Sequence, residues 1–288
     1  VLGMVVKRER EIRDFVKTPF YRVIGNFGYE GQKFEGEWRA VKGSQYFESH
    51  LLYKENGFNK KEDAQKLIDE LKIEPPAVKA VICKAEKKKE KKNPPLLFNL
   101  AELQNTCSKL FKISPDETLK IVQELYEKKL VTYPRTDSRF LSDDMIPKLP
   151  IMLNRLKATK EYGISADYVL SLPKLPISKR IIDNSKISDH HAIIPTEARA
   201  NVESLSADEF KVYDLIARRY LAVFYPNYIY NTTKIITTVE QENFLTKGTT
   251  IVQKGWTELN VISEKEKKKT KEDVLPNVVV GQEETAKK

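Results

Sequence analysis

Tyr133 and Arg135 stand two residues apart in the run Leu130-Val131-Thr132-Tyr133-Pro134-Arg135-Thr136-Asp137-Ser138-Arg139, and their chemistries complement each other. A phenol with a pKa of about 10 is a weak nucleophile at neutral pH unless its surroundings favour the phenolate. A guanidinium keeps its charge, and its fork of N–H donors matches two oxygens of one phosphate. Together they supply what attack on a phosphodiester requires: an oxygen to bond phosphorus, and a cation to hold the charge that builds there. In extended backbone, positions 133, 135, 137 and 139 share one face. Pro134 stiffens the chain beside the nucleophile. Each residue also has an ordinary use. Tyrosines at strand ends pack in cores, and Arg135 and Arg139 can pair with Asp137 and other surface acids.

A second run, Ser188-Asp189-His190-His191-Ala192-Ile193-Ile194-Pro195-Thr196, offers two imidazoles. A histidine can donate to a phosphate oxygen or carry a proton near neutral pH. The ordinary reading of such a pair is a solvated loop, or one ring in the core and one outside.

The elements that must position these runs change texture along the chain. Leu2, Val5, Val6, Ile12, Phe15 and Val16 recur with a helical period that stops before Thr18-Pro19. Short β-prone pieces, Tyr21–Ile24 and Phe34–Val41, follow among glycines. A helix is expected over Lys60–Lys72, stopped by Pro75-Pro76, then a strand over Ala77–Cys83. The lysine-rich run Lys84 to Pro95 reads as a charged linker between domains. Beyond it lie a helix marked by Leu100, Leu103, Cys107, Leu110 and Phe111, and one opened by the capping box Ser114-Pro115-Asp116-Glu117. The second should bury Leu119, Val122 and Leu125, and Leu130–Tyr133 should form a short strand after it. Ser142 is placed to cap a helix from Asp143 through Lys157. Ser206-Ala207-Asp208-Glu209 opens another helix, with Tyr213, Ile216, Ala217, Tyr220, Leu221 and Phe224 on one stripe. After Pro226, residues 228–240 and 244–256 read as a strand pair, completed by the segment around Val278–Val280.

These textures predict an α+β multidomain fold. A β-rich discontinuous domain, 18–92 with 227–288, receives an inserted helical, winged-helix-like domain, 93–226, that carries Tyr133; residues 1–17 form a separate helix. Fifty Lys and Arg against 41 Asp and Glu give a net charge of +9 and a pI near 9.2, which favours a polyanionic partner. No run approaches the eighteen or more apolar residues of a membrane span, and the opening residues lack the pattern of a secretory signal. Two cysteines and three histidines cannot make a four-ligand metal site of ordinary spacing, and this usage suits a reducing cytoplasm.

Taken together, Tyr133-Pro-Arg-Thr-Asp-Ser-Arg and His190-His-Ala-Ile-Ile-Pro-Thr resemble the type IA DNA topoisomerases, on the topoisomerase III side. Flanking strings extend the likeness in order: Leu2-Gly-Met-Val-Val-Lys-Arg-Glu, Pro95-Leu-Leu-Phe-Asn-Leu-Ala-Glu-Leu-Gln, Tyr213-Asp-Leu-Ile-Ala-Arg-Arg-Tyr-Leu-Ala-Val-Phe-Tyr-Pro and Gly255-Trp256. The resemblance implies that Tyr133 forms a 5′-phosphotyrosine link to single-stranded DNA. Arg135 would contact the scissile phosphate, with His190 close by, and Asp137, Ser138, Arg139 and His191 would line the DNA-binding surface. It also implies that the chain is the central part of a longer protein, residues 1–17 being a remnant of the family's fourth domain. No acidic D-x-D run with a preceding glutamate is present. The Toprim domain that supplies magnesium in the family is therefore expected elsewhere, no cofactor is expected on this fragment, and alone it should be inactive. Two other readings compete. Type IB enzymes and tyrosine recombinases place their arginines and histidine before the tyrosine, the reverse of this order. A non-catalytic module that binds single-stranded nucleic acid would use Tyr133 only to stack on a base.

Overall fold

A computed structural model describes residues 1–29, 31–71, 79–259, 273–281 and 283–287. The chain divides into two units: Val1–Lys88 with Asn231–Thr250 and Glu272–Lys288, and Lys89–Tyr230 with Ile251–Lys271.

The first unit is built on an antiparallel hairpin, β1 (Ile24–Tyr29) and β2 (Gln32–Arg39). Gly25 and Gly36 face each other across it, and the Phe27 ring lies over both. A Cβ at either would sit 2.8 Å from that ring, so bare backbone is what lets the aromatic fold inward. The hairpin joins a closed barrel of order β1, β2, β7 (Glu242–Gln253), β6 (Tyr228–Val239), β5 (Lys79–Lys92) and β8 (Glu283–Lys287). Closure leaves no free edge, because β8 pairs antiparallel with both β1 and β5. Phe27, Phe34 and Phe244 are buried in this unit, and Trp38 stacks on Phe58 at 4.9 Å. A small pair, β3 (Leu52–Lys54) and β4 (Gly57–Phe58), precedes helix α2 (Lys61–Glu70), which buries Ala64 and Leu67.

Two expectations fail in this unit. The lysine-rich run is not a linker but the outer half of β5. Its first half buries Ala80 and Ile82 with strand alternation, and pairing continues outward while the lysines stay in solvent. A strand needs its backbone paired, not its side chains buried. Val278–Val280 forms no strand; the closing one is β8. Helix α1 (Leu2–Arg13) has the expected period but buries no residue. Residues 72–78, including Pro75-Pro76, and the second lysine run, 265–271, lie outside the described residues.

The second unit packs five helices: α3 (Leu100–Phe111), α4 (Pro115–Glu127), α5 (Leu149–Lys157), α6 (Gly163–Leu170) and α7 (Ala207–Ala222). The Asn99 side chain caps α3 by accepting from the Glu102 amide, and Ser114 caps α4 by accepting from the Glu117 amide. Both halves of the capping box form at Ser206 and Glu209. All six apolar residues expected on the α7 stripe are buried. Helix α4 instead turns Thr118, Ile121, Val122 and Leu125 inward and leaves Leu119 half-buried, a rotation of the expected face. Pro147 and Pro150 split the expected 143–157 helix into a 3-10 turn, Asp143–Lys148, and α5. Ser142 makes no side-chain capping bond to it. Among the described residues no helix is long and apolar enough to cross a membrane.

Candidate active site

Helix α4 ends at Glu127, and a tight turn through Lys129, with φ 61°, sends the chain into Leu130–Tyr133. This segment is not the ladder strand expected from its composition. It makes one antiparallel bridge, Val131 to Pro195, because Pro134 and Pro195 have no N–H with which to extend pairing.

That short contact joins the two candidate runs. The Thr132 amide donates to the Ile194 carbonyl at 3.0 Å, and the Thr196 amide to the Leu130 carbonyl at 3.1 Å. The Thr132 hydroxyl donates to the Ala192 carbonyl and accepts from the Ile194 amide, each at 3.0 Å. On the other side of Tyr133, the Thr136 hydroxyl donates to the His190 carbonyl at 2.8 Å. Tyr133 is thus held between two threonine clamps onto the histidine run. Its ring lies 4.4 Å from that of His190, centroid to centroid, at 47°. Tyr126, from the last turn of α4, meets the same ring edge-on at 5.4 Å and 80°.

Backbone alternation is as expected over 133–138. Pro134, Thr136 and Ser138 point inward; Arg135 and Asp137 are exposed and Tyr133 is half-buried. Among the described residues none hydrogen-bonds the Tyr133 hydroxyl, so its oxygen is available for chemistry. Among the described residues Arg135 forms none of the acidic pairs its neighbours suggest; its Nη1 donates to Gln123 Oε1 at 3.1 Å.

The remaining candidates divide. Asp137 has an exposed side chain, while its carbonyl accepts from Asn99 at 3.0 Å. Ser138 is 5% exposed, and its hydroxyl donates to the Lys186 carbonyl at 2.9 Å. The Arg139 guanidinium donates to the carbonyls of Leu97 and Leu96 at 2.9 and 3.3 Å. Ser138 and Arg139 therefore brace the loop through these backbone carbonyls. His190 is exposed and His191 half-buried. The His191 Nδ1 lies 2.9 Å from the Ala192 carbonyl, which calls for a proton on that nitrogen. Nearby, the Ser142 hydroxyl holds the Asp144 carboxyl below the usual carboxylate range against the cost of desolvation, with Lys148 and His191 adding attraction.

An open cleft beside the tyrosine is lined by Tyr126, Glu127, Lys129, Thr132, Tyr133 and His191. Gln123, Tyr126, Thr132 and Thr136 are the contributors that motif reading missed. Only the short spacing between α4 and Tyr133 pointed towards the first two. Among the described residues no three His, Cys, Asp or Glu side chains lie together as a metal site would need. The site residues so placed do not fit a magnesium ion, which is held through carboxylates.

The family model for DNA topoisomerase matches residues 1–288. The chain belongs to this family. Within it, the chain is 37% identical over 285 residues to DNA topoisomerase 3 of Bacillus subtilis, covering 97% of this chain and 36% of that protein. It is equally similar to DNA topoisomerase 3 of Bacillus cereus, 37% over 289 residues with the same coverage. The chain thus spans about 36% of the length of these topoisomerase relatives. Full-length topoisomerase I of Thermotoga maritima shares the fold, with a TM-score of 0.63 over 99% of this chain and 42% of that one, at 20% identity.

Proposed function

We propose that this part of a type IA topoisomerase carries the nucleophile that opens and reseals one DNA strand. The observation that carries the reading is the Tyr133–His190 ring contact with Arg135 on the adjoining exposed face. The Tyr133 oxygen attacks phosphorus; the new O–P bond replaces the bond to the 3′ oxygen of the preceding nucleotide. The phenol proton is lost, the departing 3′ oxygen gains one, and the chain is left holding the 5′ phosphate. Resealing reverses both bonds, and strand passage between the two steps changes DNA topology. Arg135 stabilises the charge on the phosphoryl oxygens. His190 both restrains the tyrosine ring and offers a donor beside it. Asp137 and His191 extend the surface the DNA meets.

Single-stranded DNA is the proposed substrate, because attack in line with the leaving oxygen needs a backbone free to bend into the cleft. Helices α3 and α4 followed by the extended Leu130–Tyr133 support a winged-helix-like reading of this region. Magnesium, a Toprim domain and the rest of the fourth domain belong to the proposed whole enzyme, acting in the cytoplasm, and the fragment alone should not relax DNA. The deciding experiment traps covalent protein–DNA adducts with a labelled oligonucleotide in the gene's whole product. Tyr133→Phe should form none, and Arg135→Ala should form them about 10²- to 10³-fold more slowly. Adducts at the normal rate in the Tyr133→Phe protein would overturn the assignment.

A further inference from the structure

Arg135 is anchored by an amide rather than by an acid. Its Nη1 donates to Gln123 Oε1 at 3.1 Å, and Gln123 Nε2 donates in turn to Glu127 Oε1 at 3.1 Å. Residues 123 and 127 are one helical turn apart on α4, so both bonds can be made from a single rigid face. The bond to Glu127 settles which way the amide lies: the NH2 end faces the carboxylate, leaving the carbonyl oxygen for the arginine. Helix α4 is itself fixed by Thr118, Ile121, Val122 and Leu125 in the core and, just past its end, by the ion pair of Lys128 with buried Glu209.

We propose that Gln123 is a positioning residue that holds Arg135 at the scissile phosphate without neutralising it. The proposal rests on the reading of Tyr133 and Arg135 given above. A carboxylate in the same place would anchor the guanidinium equally well, but it would compete with the phosphate for its charge. A neutral amide oxygen orients the fork through one N–H and leaves the full positive charge, with the other donors, for the DNA. Glu127 stays one amide further back and is exposed, where solvent screens it. Tyr126, one turn of α4 beyond Gln123, meets the Tyr133 ring, so the same helix sets the nucleophile and the cation relative to each other.

The test measures single-turnover cleavage and binding of a single-stranded oligonucleotide by the gene's whole product. Gln123→Met keeps the side chain's length and helix preference but removes the acceptor. Its cleavage rate should fall about tenfold to a hundredfold, the range a misplaced catalytic group produces, with affinity unchanged. Placed in an Arg135→Ala background, the same substitution should change nothing further, because the group it positions is gone. Normal cleavage by Gln123→Met, or an equal further loss in the Arg135→Ala background, overturns the proposal; the second result would mean that Gln123 only supports the fold. Tyr133→Phe is run beside them. If it still forms adducts, the site reading falls; if it forms none while Gln123→Met cleaves normally, only the role of Gln123 falls.

Discussion

The Tyr133 and His190 rings lie 4.4 Å apart although the residues come from separate runs of the chain. The contact is set by backbone: the Thr132 and Thr136 hydroxyls, on either side of the tyrosine, clasp the carbonyls of Ala192 and His190. His190 is exposed, whereas His191 directs Nδ1 at the adjacent Ala192 carbonyl. His190→Ala should slow adduct formation about tenfold to a hundredfold, the low end for removing a donor beside a reacting oxygen. His191→Ala should alter it by less. The two variants' cleavage rates, compared under identical conditions, check this; a larger loss from His191→Ala would reverse the order.

The clamps themselves are testable. Thr136 is buried, so Thr136→Val keeps its shape while leaving the His190 carbonyl without its donor. Stability should drop by about 1–3 kcal/mol, because the buried Ser138 amide, which donates to the Thr136 hydroxyl at 3.1 Å, also loses its partner. Cleavage should fall as well, since the ring contact depends on that carbonyl's position. Urea unfolding and the adduct assay on one preparation read both.

Glu209 is buried beneath the end of α4 and titrates below the usual carboxylate range, chiefly because Lys128 hydrogen-bonds its carboxylate. Its pKa is lower folded than unfolded, so this interaction stabilises fully above the unfolded value of about 4.3. The stabilisation is lost as pH falls from there through the folded value. Glu209→Gln should therefore cost about 1 kcal/mol at pH 7, a small figure because Lys128 is half exposed to solvent, and much less at pH 3. Denaturant midpoints of both proteins at the two pH values give the comparison. An equal gap at both would show that the pair is not responsible.

Gly255 adopts φ +50°, and a Cβ there would lie 2.3 Å from the Pro226 carbonyl oxygen. That same carbonyl accepts from the Trp256 amide at 3.0 Å, while the indole N–H donates to the Lys92 carbonyl at 3.1 Å. Gly255→Ala must push the backbone apart and break this arrangement, at a cost of about 2 kcal/mol or more. A melting temperature unchanged by the substitution would contradict the close approach.

Cys107 is fully buried, and burial pushes its thiol up to about 11, whereas Cys83 is exposed on β5. At pH 8 only about one thiol in a thousand would ionise at such a value. Iodoacetamide should label Cys83 in the native protein and Cys107 only after denaturation. Peptide mapping distinguishes the sites.

The sequence alone determined α3, α4 and α7, because their signals are local, whereas it joined the 3-10 turn and α5 into one helix and gave no sign of α6. Ser114 and Ser206 announce helix starts through hydrogen bonds reaching only three residues, and the α7 stripe repeats within one element. It also identified Tyr133, Arg135 and His190 as candidates, since their types and strings are written in order along the chain. Several features depended on distant partners and were not legible. The lysine run from Lys84 looked like a linker because charge reports solvation of side chains, while strand pairing is made by backbone to β6 and is silent in composition. Barrel closure by β8 and the rotated face of α4 are long-range outcomes of the same kind. The alternation that placed Arg139 on the outward face held through Asp137 and then yielded to carbonyls at Leu96 and Leu97, which no pattern near Arg139 reveals. Only tertiary structure decided that Gln123 anchors Arg135 and that two threonines bring Tyr133 onto His190, because those hydrogen bonds exist only once the separate segments have folded against each other.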